Sequence, residues 1–366
     1  MRRYKSHTPA ARLRDAPARS RRRRRAALAG SAVVFAVVLG GVAISVSGPP
    51  RVSTAAWTGG SGQEAGPDLD ADADAVTRPP TPDGHVHLDE AGGPHRLPAG
   101  WADVPAVLTG AVDAAGDDGL DLSLCVRAID SPTAPMRCAG GVERAYAASV
   151  TKLAYAVGAL EAWEGDAEAE TPLGATVGDL VDQAISVSDN EAADLLALLS
   201  ASGPGALDAD PFTAINTVTA RVGLDDDFHS GNYYTEDHWY LSADESSLDA
   251  ASAARYLTEL VRAADDDRST GRPLLTDPGI ARYVLDAMLE QERTDKIPGE
   301  LPAGTAANKT GETDTVSHDL AVVNTAQGRL VVAMVSSADG LGGGPDEVVA
   351  EAAAEVVDLF GGPVTF

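Results

Sequence analysis

The chain has 366 residues, 28 of them Lys or Arg and 55 Asp or Glu, for a formal net charge of −27. Eleven of the basic residues fall within positions 1–25, so the rest of the chain holds 17 basic against 54 acidic side chains, a balance of −37. A body that acidic argues against nucleic acid as a partner, and the length allows one or two domains with an ample core.

Residues 1–25, with the run Arg21 to Arg25, are predicted as a basic cytoplasmic tail. Residues 26–47 follow without a charged side chain, 22 positions that are long enough to cross a bilayer and long for a signal peptide. They are predicted as one transmembrane helix. The basic flank places the N-terminus in the cytoplasm and the body outside the cell membrane. Two alternatives stay open: a cleaved signal with small residues near Thr54-Ala55-Ala56, and twin-arginine export, for which the usual residues after the arginine pair are missing.

Residues 48–98 are rich in Pro, Gly, Asp and Ala with no apolar period, and read as a disordered acidic linker. Within it, His85-Val-His87-Leu-Asp89 has the HxHxD pattern of binuclear metal hydrolases. Glu90 stands where that pattern needs a histidine, and no strand signal precedes it. The expectation is a polar tether, with no metal and no cofactor.

The folded body is predicted over residues 99–366. Trp101 to Ala115 has helical apolar spacing. Two strand-like runs follow within Leu120 to Ala139, with turn chemistry at Asp130 to Pro135 between them. They carry Cys125 and Cys138, the chain's two cysteines, and in an oxidising compartment these make a cross-strand disulfide plausible. Helical periodicity then dominates: Val150 to Trp163, Thr176 to Val187, Glu191 to Leu199, Pro211 to Val222, Leu248 to Ala264 and Pro278 to Glu292. Thr176 with Asp179 looks like a variant capping box. Leu320 to Asn324 and Leu330 to Ser336 read as paired strands, and Glu347 to Leu359 as a closing amphipathic helix. Strands at both ends and helices between imply an α+β fold: an antiparallel sheet flanked by terminal helices, with an inserted all-helical lobe and a cleft between them.

Three motifs carry the chemistry. Only four lysines occur, at 5, 152, 296 and 309, in a chain that otherwise prefers arginine. Two of them fall in Ser149-Val-Thr-Lys152 and Lys309-Thr310-Gly311, with Ser188-Asp189-Asn190 between. Arginine keeps its proton, whereas a buried lysine can give its own up, so a proton shuttle beside a serine has no arginine substitute. Ser149 at a helix start would have backbone N–H groups near it, useful to an oxyanion, and Lys152 would lie one turn along on the same face. Ser188 can relay a proton to a leaving nitrogen, and the Asn190 amide can hold a substrate amide. Lys309 and Thr310 on an edge strand can present an ammonium and a hydroxyl to a carboxylate, Gly311 lets a backbone approach, and the Glu312 N–H can join that of Ser149 at the oxyanion. Ser230-Gly231-Asn232 is a competing SxN in a loop and ranks below.

This motif order, SxxK, SDN and KTG, is that of serine enzymes that open β-lactams or cleave D-Ala-D-Ala peptides. From about residue 120 onward the chain resembles class A β-lactamases and related serine hydrolases. The match extends to Thr176-Val-Gly-Asp-Leu180, to Ala184 through Leu196, and to Lys296 through Gly304 with His318 through Val323. The resemblance implies Ser149 as nucleophile, Lys152 as base or relay, Ser188 and Asn190 as relay and substrate contact, and Lys309 and Thr310 as carboxylate recognition. It implies a small-molecule β-lactam or a peptidoglycan stem peptide as substrate. A monomer is the expected form, though nothing in the sequence fixes the oligomeric state.

Two departures bear on turnover. Class A enzymes carry Glu-x-x-Leu-Asn after the SDN motif, and no such sequence occurs between Asp225 and Glu245, where Glu236 is the glutamate near the middle. The segment from Ser149 to Ser188 is also short for that family. A slow β-lactam hydrolase is therefore expected, with a D-alanyl-D-alanine carboxypeptidase or a catalytically silent cell-wall binding module as alternatives. His229, His238 and His318, the histidines of the body, are scattered and have no cysteine partners, which argues against a metal. Tyr233, Tyr234, Trp239 and Tyr240 are expected to close the loop over the lobe.

Overall fold

A computed structural model describes residues 97–366 apart from 132, 143, 173, 222–245, 267–273 and 341–342, with a strand pair at 87–88 and 94–95. Contacts divide the chain into Met1–Thr77 and Arg78–Phe366, and all described residues belong to the second unit. The basic tail, the predicted membrane helix and the loop from Asp225 to Glu245 lie outside the described residues. Among the described residues no helix is long and apolar enough to cross a membrane. The linker, expected to lack regular structure, contains the antiparallel pair β1 (His87–Leu88) and β2 (Pro94–His95).

The body opens with α1 (Val104–Asp117), followed by β3 (Leu122–Ala128) and β4 (Arg137–Gly140). Trp101, expected to begin the helix, instead lies just before it, fully buried edge-to-face on Phe360 at 5.7 Å. Cys125 pairs with Cys138 across the β3–β4 register, and the two form the expected disulfide. β5 (Ala145–Tyr146) then leads into a single 3-10 turn, Ala148–Thr151.

The helical lobe follows: α2 (Lys152–Ala162), α3 (Val177–Ser186), α4 (Asn190–Ser200), α5 (Pro211–Arg221), the two-residue strand β6 (Ser247–Leu248), α6 (Ala250–Ala264) and α7 (Pro278–Leu289). Every residue of α2 is buried, which is the signature of a helix enclosed on all sides. Its one carboxylate, Glu161, accepts from the Thr276 N–H at 2.7 Å and lies 3.6 Å from Arg221. α3 begins with the expected capping box of Thr176 and Asp179, a device that stabilises a helix start by about 1 kcal/mol.

The chain returns to the sheet as β7 (Ala306–Glu312), β8 (Val316–Thr325) and β9 (Gly328–Ser337), and closes with α8 (Asp346–Leu359). The five strands form one antiparallel sheet in the order β4-β3-β9-β8-β7, assembled from both ends of the body. Both faces are buried, which explains the apolar run Leu330 to Val335 of β9 and the shorter Leu320 to Val323 of β8. On β9, Val331, Ala333 and Val335 face the helical lobe, and Leu330, Val332 and Met334 face α1 and α8. β7 is an edge, and its outer side is where the 3-10 turn packs.

Candidate active site

Three junctions converge at this edge. The first is the 3-10 turn carrying Ser149, which corrects the expectation that the serine opens the α-helix. Ala148 takes φ 47, a left-handed conformation costly for a residue with a Cβ, and the regular helix begins only at Lys152. Neither the turn nor α2 is capped by a side chain, so Ser149 does not serve as an N-cap. Thr151 ties the turn internally, its hydroxyl donating to the Ala148 carbonyl at 3.0 Å.

The second junction is α3 to α4. Ser188 sits there with φ 61, again left-handed. Asp189 caps α4 by accepting from the Ala192 N–H at 2.8 Å, and Asn190 is the first helical residue. The cap fixes the backbone while the side chains on either side of it face Lys152. The Lys152 Nζ donates to the Ser188 carbonyl at 2.6 Å, to the Ser188 Oγ at 3.2 Å and to the Asn190 Oδ1 at 2.7 Å.

The third is β7. The Lys309 Nζ donates to the Ser188 Oγ at 2.9 Å and to the Thr310 carbonyl at 2.7 Å. The Ser188 hydroxyl thus bridges the two motif lysines. Both lysines are fully buried. Burial lowers the Lys152 pKa to about 7, helped by the Arg293 charge and opposed by Asp189 and Asp194. Burial, then the charges of Lys152 and Arg293, push Lys309 well below its ordinary range. The Lys152 charge disfavours protonation of Lys309, and the two amines share one hydroxyl, which makes a route for a mobile proton.

The ladder with β8 decides which way β7 points its groups. Thr313 N–H donates to the Val316 carbonyl at 3.0 Å, in the register that pairs Glu312 with Ser317 and Gly311 with His318. Antiparallel alternation then turns the N–H groups of Thr310 and Glu312 to the open edge, beside the 3-10 turn. Side chains alternate too: Lys309 and Gly311 face the helical lobe, and Thr310 and Glu312 the opposite face. The Thr310 hydroxyl is buried with no hydrogen-bond partner among the described residues. The close approach that Gly311 allows is by the chain itself. A Cβ there would stand 2.9 Å from both the Ala147 carbonyl oxygen and the Val150 Cγ2.

The structure thus brings Ser149, Lys152, Ser188, Asn190, Lys309, Gly311 and the Glu312 backbone to one place. Sequence reasoning missed the supporting polar layer beneath β7. Burial alone would raise the Glu312 carboxylate, but Lys296 and Arg293, the latter at 2.6 Å, grip it and hold it below its usual range. Asn308 donates to Asp319 at 3.0 Å and to the Arg293 carbonyl at 3.1 Å. Burial raises fully enclosed Asp319 to about 7. Lys296 had a signal in the sequence: it is one of only three lysines of the body, and like the other two it is fully buried. Among the described residues no group of three or more His, Cys, Asp or Glu could hold a metal ion. Glu236 and the Ser230-Gly231-Asn232 loop lie outside the described residues.

Comparison with known proteins agrees with this geometry. Residues 164–360, just over half of the chain, match the beta-lactamase enzyme family, a span that holds Ser188, Asn190 and Lys309 through Glu312 but begins after Ser149 and Lys152. The structure resembles a beta-lactamase from Sphaerobacter thermophilus, with TM-score 0.54, 22% identity, and 71% of this chain and 97% of that one covered. It resembles a class A beta-lactamase from Bacteroides cellulosilyticus, with TM-score 0.54, 17% identity, and 70% and 98% covered. A mutant PBP-A in acyl-enzyme complex with penicillin G is similar at TM-score 0.55 and 17% identity, with 71% and 97% covered. Identities this low show a shared fold. No curated protein matches the chain.

Proposed function

The chain belongs to the beta-lactamase enzyme family, whose members are serine hydrolases acting on amide bonds, and from that premise we propose a membrane-anchored, extracytoplasmic enzyme that opens β-lactams through an acyl-enzyme at Ser149. The observation that carries the proposal is the shared Ser188 hydroxyl between two buried lysines, one of them brought to about 7. In this reading the neutral Lys152 amine takes the Ser149 proton as Oγ attacks the lactam carbonyl. The Ser149 and Glu312 N–H groups receive the oxyanion. The C–N bond then breaks, and the proton passes from Lys152 through Ser188 to the leaving nitrogen. Lys309 meets the substrate carboxylate; Thr310, expected to share that task, is turned to the other face of β7 with its hydroxyl buried. Water finally hydrolyses the ester, slowly, because the sequence lacks the family's Glu-x-x-Leu-Asn.

That same absence favours a second reading, a D-alanyl-D-alanine carboxypeptidase acting on peptidoglycan stem peptides. Incubation of the purified full-length chain with a fluorescent penicillin should give a mass adduct on the peptide containing Ser149. No adduct after long exposure would overturn the acyl-enzyme reading and leave a silent binding module. Turnover of a chromogenic cephalosporin, set against release of D-alanine from a stem peptide, separates the two enzymes. Glu236→Gln is expected to change the acyl-enzyme lifetime little, and a large increase would restore a fast lactamase. Extraction of the full chain only by detergent supports the anchor at residues 26–47, and release by buffer alone removes it.

A further inference from the structure

His318 plays no part in the proton route, yet it is fully buried at the sheet beside the nucleophile's turn. It is the cross-strand partner of Gly311. Partners across a ladder share a face, so where Gly311 leaves room for Ala147 and Val150, His318 reaches over and meets the Tyr146 carbonyl with its Nε2 at 2.9 Å. Its Nδ1 lies 3.2 Å from the Ser336 backbone N–H. These two backbone groups have fixed roles. The amide can only donate and the carbonyl can only accept, so these two contacts fit a neutral ring with its hydrogen on Nε2, while the Ser317 backbone beside the ring favours the protonated form. Burial pushes the imidazole below its ordinary range, which agrees with a neutral ring. Among the described residues, β5 is two residues long and pairs with β6, and the Ala147 N–H donates to the Ser246 carbonyl at 3.0 Å.

We propose that His318 is a positioning residue for the nucleophile, the Ser336 amide fixing its tautomer so that its Nε2–H anchors the Tyr146 carbonyl and sets the turn bearing Ser149 against β7. This rests on Ser149 being the acylated residue. It assigns His318 a task in the approach of Ser149 to the oxyanion groups, not in proton transfer.

Two variants separate the roles of the ring. His318→Asn keeps an acceptor for Ser336 and loses the donor to Tyr146. His318→Gln keeps an amide donor at the Nε2 position. With the full-length chain, fluorescent penicillin should label Ser149 about tenfold or more slowly in His318→Asn, with the loss in the maximal rate and not in half-saturation. His318→Gln should stay within about threefold of the wild type. Hydrogen exchange over residues 145–150 should accelerate in His318→Asn and not in His318→Gln, and imidazole nitrogen shifts in the wild type should report the Nε2–H tautomer. Equal labelling and exchange in His318→Asn and wild type, equal losses in both variants, or an Nδ1–H tautomer would each overturn the proposal. A wild type that takes no label refutes the acyl-enzyme reading instead, and the exchange and tautomer measurements still decide whether His318 anchors the turn.

Discussion

Lys152 is the first residue of a helix buried on every side, and that burial is what fits it to act as a base at neutral pH. A folded pKa lowered to about 7 leaves the amine protonated below that value and free above it. Acylation of Ser149 should therefore fall as pH falls through about 7 and level off above. Lys152→Arg keeps the charge but cannot accept the proton, so it should abolish acylation while circular dichroism shows an intact fold. Wild-type acylation in that variant would make Lys152 an electrostatic partner only. The scarcity of lysine in the sequence made residues 152 and 309 legible as chemistry. The same argument applied to Lys296 and was not carried that far, because no motif flags a lysine whose task is to hold a glutamate. The task of His318 was equally hidden. Its partners are backbone groups contributed by β5 and β9, and backbone groups leave no trace in side-chain pattern.

At the scale of elements, long periodic segments were legible and short strained ones were not. α3 with its capping box, α4, α8 and the β8–β9 hairpin all follow from apolar spacing and turn residues. The 3-10 turn at Ala148–Thr151 does not, because nothing in an alanine announces φ 47. β5 and β6, two residues each, are too short to show a period of two. The turn's packing against Gly311 gives a direct test. Gly311→Ala sets a methyl 2.9 Å from the Ala147 carbonyl oxygen and 3.2 Å from the Val150 nitrogen, so the turn must withdraw from β7. Gly311 is not in the left-handed region, so its backbone can accept alanine. Acylation should drop by about tenfold or more while the melting temperature falls by only a few degrees. The reverse pattern, a large loss of stability with labelling of the folded protein unchanged, would show that the turn and strand need not touch for chemistry. At the opposite edge of the sheet, Cys125–Cys138 joins β3 to β4 over a sequence separation of 13. A loop that short is stabilised by about 3 kcal/mol on closure. Reduction should lower the melting temperature by roughly 6–12 °C and leave acylation of the remaining folded protein as it was, measured by scanning calorimetry alongside labelling.

The two-lobe plan of the body was legible because strands cluster at its two ends and helices fill its middle. That the sheet's order runs β4-β3-β9-β8-β7 was not, since register and neighbour choice depend on packing that both faces share. Net charge belongs to this scale too, and it sets the field through which a substrate arrives. Outside the basic tail the chain carries 17 basic and 54 acidic side chains. A β-lactam with a free carboxylate is an anion and meets a repulsive body. The lysines proposed to act on it are buried, and the more accessible cation nearby, Arg293, is already paired with Glu312. Local attraction is thus short-ranged, while repulsion extends over a Debye length of about 30 Å at 10 mM salt and only about 8 Å at 150 mM. The second-order rate constant for Ser149 acylation by an anionic penicillin should accordingly rise a few-fold across that range of salt, and the maximal rate should not change. A zwitterionic cephalosporin, with no net charge to repel, should show little salt dependence in the same stopped-flow measurement. A rate that falls with salt for the anionic substrate would mean that the cations at the edge of β7 draw ligands into the cleft, and that the acidity of the body is too distant to matter.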